Sequence, residues 1–285
     1  PTPTTPPANI VSLSATPTLT EAGGNIVYTA TITQAPVSDM TVTLSNGATI
    51  TILAGQFTGT TNVALAADED VYVDPANVSA TISSTSGGGI TVAIDPAAAA
   101  TTITDTIDTT SVTLSSATAG SNVTEGGSIV YTATVDHLVT GTPLVVTLSN
   151  GQTITIPVGA LSADSAPFNV RADDAYVDAN DNLSVTITGT SGANYEAVST
   201  SGTISNSVVD DADVTTLSLS ASASVSEGGT ITYTASLTNP AETAMSVTLS
   251  NGAVINIIAG ASSGNVSVAA PSDDVYIDAG SVSAT

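Results

Sequence analysis

The sequence DVYVD at 70–74 returns as DAYVD at 174–178 and as DVYID at 274–278. Two carboxylates therefore recur four residues apart around a central tyrosine, with about 100 residues between copies. Internal repetition with a regular period is the sequence signature of a repeat architecture. This acidic motif predicts three successive copies of one module.

Three other motifs repeat in step with the acidic motif: a Glu-Gly-Gly turn, a Tyr-Thr-Ala segment and a Leu-Ser-Asn-Gly segment. Their copies are EAGG at 21–24 and EGG at 125–127 and 227–229, tyrosines Tyr28, Tyr131 and Tyr233, and LSNG at 44–47, 148–151 and 249–252. Because all of these motifs keep the same order and nearly the same spacing, the repeat extends over the whole module.

Alternation of apolar and polar residues in the first copy predicts short strands separated by turn signals about every ten residues. The seven predicted strands are 10–19, 26–33, 40–45, 48–53, 60–66, 78–83 and 90–103. Asn46-Gly47 is a strong hairpin signal, and Pro96 is expected to interrupt the last strand. The pattern predicts an all-β fold of tandem immunoglobulin-like β-sandwich modules of about 100 residues in an extended array.

The motif positions also predict the domain organisation. The expected segments are a linker at 1–9, module one at 10–104, an acidic linker at 105–110, module two at 111–205, an acidic linker at 206–214 and module three at 215–285. Module three stops before its final strand, which we interpret as truncation, with a strand from another chain as the alternative.

Charge excludes several kinds of partner. The chain has 25 acidic residues and one basic residue, Arg171, and its formal net charge is −24. Binding to nucleic acid or to an anionic membrane surface requires lysine and arginine, and no apolar run is long enough for membrane insertion. The absence of cysteine excludes disulfides and thiolate metal sites.

The strand directions predict that acidic residues from the Glu-Gly-Gly turn, the acidic motif and the following linker meet at one pole of each module. Such oxygen-rich clusters suit Ca²⁺, whereas His137 alone cannot make a zinc site. The predicted calcium ligands are Glu21, Asp70, Asp74 and Asp105 in the first module, Glu125, Asp174, Asp178, Asp210 and Asp211 in the second, and Glu227, Asp274 and Asp278 in the third. An affinity on the order of 10⁻⁴–10⁻³ M is expected for an extracellular module.

Other residues receive structural interpretations. The motif tyrosines Tyr72, Tyr176 and Tyr276 are expected to form the tyrosine corner of each sandwich. Arg171 aligns with Ala67 and Pro271, so we interpret it as lying outside the repeated design. His137 occurs in one copy only and lysine is absent, so the sequence predicts that the protein is not an enzyme.

The set of Ser/Thr-Glu-(Ala)-Gly-Gly, Tyr-Thr-Ala, Leu-Ser-Asn-Gly and Asp-Val-Tyr-Val-Asp resembles the repeats of LapA-like giant adhesins, which are RTX proteins exported by type I secretion. The Glu-Gly turn and acidic linkers are also similar to Calx-β domains. The resemblance implies a calcium-binding extender on the bacterial cell surface, extracellular and involved in biofilm formation, whose partners are neighbouring modules of the same chain. The distal ligand of the parent adhesin is not identified by these residues.

Two other functions remain open at this stage. Threonines alternate along predicted strands, as at Thr29 and Thr31, which is also the pattern of a glycan-binding or ice-binding surface. The incomplete third module is also compatible with a subunit of an extracellular filament completed by strand exchange.

Overall fold

The computed structural model describes residues 9–74, 76–276 and 280–285, so all of the predicted first linker except Asn9 lies outside the described residues. Strands make up about half of the chain, and no helix occurs in these described ranges. The predicted all-β, sandwich-type architecture is therefore confirmed. In the same ranges no helix is long and apolar enough to span a membrane.

Short strands follow one another along the chain. In the first third they are β1 (Ile10–Ala15), β2 (Thr18–Thr20), β3 (Gly24–Ile32), β4 (Met40–Leu44), β5 (Thr49–Ile52), β6 (Thr58–Leu65), β7 (Ala76–Ala80), β8 (Ile82–Gly87), β9 (Ala93–Ile94) and β10 (Ala99–Thr104). In the second they are β11 (Thr109–Ser115), β12 (Asn122–Thr124), β13 (Ser128–Ile129), β14 (Thr132–Val135), β15 (Leu144–Leu148), β16 (Thr153–Ile156), β17 (Ser162–Asp164), β18 (Phe168–Asn169), β19 (Asp181–Ser191), β20 (Ala197–Ser201) and β21 (Thr203–Val209). The last third contains β22 (Leu217–Ala221), β23 (Thr230–Leu237), β24 (Met245–Thr248), β25 (Val254–Ile257) and β26 (Ser263–Ala269).

The chain folds as two compact units. Unit 1 contains Pro1–Ser115, Thr132–Ser165 and Thr186–Thr203. Unit 2 contains Ser116–Tyr131, Ala166–Val185 and Ile204–Thr285. The division into three modules with the boundaries given above stays a prediction.

Unit 1 contains sheets with strand orders β6-β3-β1-β9, β5-β4-β8, β2-β10-β7 and β17-β14-β11-β20. The second is wholly antiparallel, and each of the other three carries one parallel edge strand, namely β9, β2 and β20. β7 and β8 are separated only by Thr81, so one strand path joins β5-β4-β8 to β2-β10-β7. As expected, the last strand of the first copy is interrupted near Pro96, between β9 and β10. The Asn46-Gly47 turn joins β4 to β5, and Gly47 has the positive φ of 84° that this turn requires.

Unit 2 contains the sheet β22-β23-β26, the pair β24-β25, the pair β13-β18 and the parallel pair β12-β21. Its core includes Ile231, Tyr233, Ile255 and Ile257. The last two are alternate residues of β25, and the residues between and beside them are exposed.

The core of the first third of the chain forms because alternate residues of each strand point to one face. Along β3, Ile26, Tyr28, Ala30 and Ile32 are buried, whereas most of the intervening residues are exposed. These four side chains pack in one cluster with residues of β1, β4 and β5. The tyrosine of the Tyr-Thr-Ala motif is therefore a core residue.

Candidate metal centre

A parallel strand pair positions the acidic residues in each unit. In unit 1, β2 pairs with β10 so that Thr20 lies opposite Thr104, and the next residues are Glu21 and Asp105. In unit 2, β12 pairs with β21 so that Thr124 lies opposite Val209. The residues that follow are Glu125 and Asp210, so the same register delivers the corresponding carboxylates in both units.

The glycines of the Glu-Gly-Gly turn let it approach the residues just before the acidic motif. Gly23 has a φ of 82°, and a Cβ atom there would lie 2.8 Å from the backbone of Leu65 and of Ala67. The Asp68 N–H donates to the Glu21 carbonyl at 2.9 Å. In unit 2, a Cβ atom on Gly126 would lie 2.8 Å from the Cβ of Asp173. A larger residue at either glycine would push the turn away from the motif.

Two acidic triads form what we call the first acidic pole, in unit 1. Its members are Glu21, Asp105 and Glu196 in one triad and Asp68, Asp70 and Asp74 in the other. Within each triad, carboxylate oxygens lie within 4.8 Å of one another. A cavity of about 320 Å³ is lined by members of both triads, namely Glu21, Asp68, Asp74 and Asp105. The structure thus brings the predicted residues of the first module to one pole, and the triads could hold a metal ion.

Glu21 is the buried centre of this pole, with 4% of its surface exposed. Its Oε1 accepts hydrogen bonds from the Thr106 hydroxyl at 2.6 Å and the Thr106 N–H at 2.8 Å. Its Oε2 is buried and has no hydrogen-bond partner. Since an unpaired buried carboxylate oxygen is costly, the pole is short of positive charge, which fits a bound cation.

The pKa values of Glu21 and Asp105 move in opposite directions. The Thr106 hydroxyl and N–H lower the pKa of Glu21. Burial raises the pKa of Asp105 to about 6, and the neighbouring Glu21 carboxylate adds to this. In the absence of a cation Glu21 therefore holds the charge more readily than Asp105, which retains a proton to a higher pH.

The second acidic pole, in unit 2, consists of Glu125, Asp173, Asp174, Asp178, Asp210 and Asp211. Glu125, Asp173 and Asp211 form a triad that could hold a metal ion. Asp178 donates its N–H to Asp210 Oδ1 at 3.3 Å, as Asp74 does to Asp105 Oδ2 at 3.4 Å in the first pole. Four of the predicted residues of the second module, namely Glu125, Asp178, Asp210 and Asp211, therefore also meet at one pole, and Asp174 begins the same motif as Asp178.

Arg171 also lies in the second pole, although its aligned residues in the other two copies are Ala67 and Pro271. Its Nε lies 2.8 Å from Glu125 Oε2 and 3.1 Å from Asp178 Oδ2. The Arg171 hydrogen bond acts to lower the pKa of Glu125, but burial and Asp210 outweigh it and the pKa is raised. The Glu125 hydrogen bond raises the pKa of Arg171, which keeps the guanidinium charged.

The structure describes two of the three predicted residues of the third module, and these two do not join an acidic triad. Glu227 and Asp274 are exposed and belong to none of the acidic triads found in the described part of the chain. Asp274 accepts the Tyr276 N–H at 2.7 Å, the same local turn that Asp70 and Asp174 make with their tyrosines. Asp278 lies outside the described residues.

The tyrosine-corner prediction is wrong for Tyr72 and Tyr176. The Tyr72 hydroxyl donates to the carbonyl of Leu138 at 2.7 Å, and its ring stacks on Tyr195 with centroids 5.6 Å apart. The Tyr176 hydroxyl donates to the Pro240 carbonyl at 3.1 Å. In both cases the tyrosine reaches more than 60 residues ahead in the sequence. Its role is to contact the following repeat rather than its own.

Sequence reasoning missed Asp68, Asp173 and Glu196. Asp68 and Asp173 lie one or two residues before the acidic motif, and the dense acidic run there was an available signal. Glu196 had no such signal, because it belongs to none of the repeated motifs. Only the pairing of 71–73 with 194–196 brings Glu196 to the pole.

Comparison with known proteins identifies matches along nearly the whole chain. The family model of the LapA domain matches residues 8–106, 108–212 and 213–285. No curated protein matches the sequence.

Three solved structures show weaker likeness. A crystal structure of a tetra-tandem repeat in the extending region of a large adhesion protein is 17% identical, with a TM-score of 0.33; the match covers 93% of this chain and 66% of that one. The native conformation of E. coli alpha-2-macroglobulin is 10% identical over 95% of this chain and 21% of its own, with a TM-score of 0.21. A Salmonella alpha-2-macroglobulin mutant is 12% identical over 93% of this chain and 21% of its own, with a TM-score of 0.20. TM-scores this low carry no argument, so the relationship rests on the domain matches.

Proposed function

The chain belongs to the LapA domain family, and we propose that it is a calcium-stiffened extender segment of a bacterial cell-surface adhesin. In this role it is a non-catalytic spacer outside the cell, serving surface attachment and biofilm formation. Its immediate partners are calcium and the neighbouring modules of the same chain.

The observation that carries this proposal is the composition of the triad Glu21, Asp105 and Glu196. Glu21 and Asp105 lie in the first LapA match, 8–106, and Glu196 lies in the second, 108–212. A cation bound by all three carboxylates would join the two repeats and reduce the freedom of the segment between them. The unpaired Glu21 Oε2 is a ligand atom that such a cation would satisfy.

Direct protein contacts support the same function, because they already join these two repeats. The Val73 N–H donates to the Asn194 carbonyl and the Glu196 N–H donates to the Val71 carbonyl, both at 3.0 Å. The Tyr72 ring stacks on Tyr195, whose hydroxyl donates to the His137 carbonyl at 2.7 Å. These contacts position the Glu196 carboxylate, and calcium would add a second connection beside them.

The test is calcium titration of the whole chain by calorimetry, with small-angle scattering in calcium and in chelator. We expect binding on the order of 10⁻⁴–10⁻³ M and a more extended, less flexible chain in calcium. Glu21→Gln should weaken binding at this site by roughly tenfold or more, because it removes a buried charged ligand.

Asp39→Asn is the matched control for the loss of one negative charge. Asp39 is exposed and follows β3 at the end remote from Glu21. Its Oδ1 accepts the Ala54 N–H at 2.9 Å, and an asparagine oxygen can still do so. The proposal is wrong if the wild-type chain takes up no calcium and scatters identically in calcium and in chelator.

A further inference from the structure

Arg171 is the single basic residue of the chain, and it lies among carboxylates. Besides Glu125 and Asp178, the guanidinium contacts the Ala179 carbonyl at 2.9 Å and Asp181 Oδ2 at 3.2 Å, both through Nη1. Carboxylate and carbonyl oxygens of this kind are the ligands that Ca²⁺ takes in proteins. In the first pole, the residues that correspond to this region, Ala67, Asp68 and Asp74, line a cavity. In the second pole the Arg171 guanidinium lies among the carboxylates instead.

The register of the repeats identifies what differs between the poles. With the acidic motifs aligned, Arg171 corresponds to Ala67 and Ala172 corresponds to Asp68. The two aspartates of the acidic motif occur in both poles, as Asp70 and Asp74 in the first and Asp174 and Asp178 in the second. The second pole has therefore lost one carboxylate and gained one guanidinium at adjacent positions.

Having alanine in place of Asp68 and arginine in place of Ala67 changes the formal charge by +2, as much as the binding of one divalent cation. Asp68, Asp70 and Asp74 together carry a formal charge of −3, which Ca²⁺ would reduce to −1. Asp174 and Asp178 carry −2, which Arg171 also reduces to −1. The net charge of these aspartates with their cation is the same in the two cases; Asp181, which also contacts Arg171, lies outside the motif and is 60% exposed.

We infer that Arg171 is a built-in replacement for a calcium ion that the Asp68, Asp70 and Asp74 triad binds in the first pole. This inference rests on the proposed function and deepens it. The first pole then takes one more calcium ion than the second, whose motif is held by the protein's own cation.

Burial supports the assignment at both poles. Glu125 corresponds to Glu21, and its side chain is 1% exposed with Oε2 paired to Arg171. Each of the two glutamates has one buried oxygen without a hydrogen-bond partner, Oε2 in Glu21 and Oε1 in Glu125. The difference is that no ion pair is found for Glu21 in the described residues, and that Glu21 lines the same cavity as Asp68 and Asp74. A buried carboxylate is costly unless hydrogen bonds or a cation compensate it, and Thr106 satisfies only one of the two Glu21 oxygens.

The guanidinium also connects the same structural elements that a calcium ion would connect. Its Nε bridges Glu125, at the end of β12, and Asp178, the last residue of the acidic motif. Arginine stays charged at all physiological pH values, so this connection does not depend on calcium concentration. The second pole is accordingly less sensitive to calcium than the first.

Exchanging the two residue pairs in the full-length chain tests this inference. Ala67→Arg with Asp68→Ala should remove one calcium ion from the stoichiometry measured by calorimetry. Arg171→Ala with Ala172→Asp should add one. Circular dichroism in calcium checks that each variant is folded, and Asp39→Asn should leave the stoichiometry unchanged.

The possible results separate the two proposals. If the wild-type chain binds calcium but neither exchange alters the stoichiometry, Arg171 does not replace an ion and the inference is overturned, while the extender proposal stands. If the wild-type chain binds no calcium, the proposed function itself fails. If the Arg171 exchange does not fold, the Ala67 and Asp68 exchange decides alone, since both positions are exposed.

Discussion

The first and second acidic poles share one backbone arrangement and differ in how their charge is balanced. In each, a parallel strand pair delivers a buried glutamate, Glu21 or Glu125, beside an aspartate that accepts an N–H of the acidic motif. Arg171 lies in the second pole, whereas the aligned residue in the first is Ala67. A repeat can therefore keep its backbone arrangement while the charge of a side chain at the pole changes.

The largest difference between the poles is expected in the hydrogen-exchange rates of two corresponding backbone amides, measured in chelator. The Glu21 N–H donates to the Thr104 carbonyl at 3.1 Å, and the Glu125 N–H donates to the Val209 carbonyl at 3.0 Å. Without calcium the first pole is left with uncompensated carboxylates, so the Glu21 amide should exchange roughly tenfold faster or more. The Glu125 amide should change by less than about threefold, because Arg171 remains.

Hydrogen exchange followed by mass spectrometry or NMR, with and without chelator, measures both amides in one sample. Equal acceleration at Glu21 and Glu125 would show that the two poles depend on calcium to the same degree and would break the comparison.

Removing the hydroxyl of the motif tyrosine should have an intermediate effect, a loss of stability. Tyr72→Phe deletes the hydrogen bond to the Leu138 carbonyl and should lower the free energy of unfolding of unit 1 by about 1 kcal/mol. Tyr176→Phe deletes the longer bond to Pro240 and should cost less. Tyr276 is 73% exposed, which makes Tyr276→Phe the matched control with no expected change.

Denaturant unfolding of the three variants in calcium gives these differences directly. A loss for Tyr276→Phe as large as that for Tyr72→Phe would show that the contact with the following repeat contributes nothing measurable.

The smallest expected effect is a pH dependence of the calcium-free chain. The pKa of Asp105 is raised from 3.8 to about 6 in the folded protein, so the folded state binds the proton more tightly than the unfolded state. The resulting stabilisation is complete below about pH 4 and is lost as the pH rises through about 6. Thermal unfolding in chelator should therefore show a falling Tm between pH 5 and 7.

Asp105→Asn should flatten this part of the pH profile, because the titrating group is gone. Added calcium should flatten it as well, since a bound cation favours the ionised carboxylate. A wild-type Tm that rises over this range would contradict the assigned direction.

Local patterns predicted the strands and their turns well. Alternation correctly predicted the strand β3, and Asn46-Gly47 predicted the β4–β5 hairpin, because both depend on residues adjacent in sequence. Strand directions likewise placed Glu21, Asp74 and Asp105 at one pole. The partners of the motif tyrosine were not predictable in this way, since Leu138 is 66 residues from Tyr72.

The sequence by itself determined the repeat, the all-β architecture and the gathering of the acidic residues at the first two poles. The recurrence of the motifs and the alternation along each strand can both be read directly from the order of the residues. Only the tertiary structure decided which carboxylates stand within reach of one another and that Glu196 joins the first pole. It also revealed that Arg171, unique in the sequence and unrelated to any repeated motif, lies against the buried Glu125. Pair distances between charges depend on packing across strands, and no local pattern encodes them.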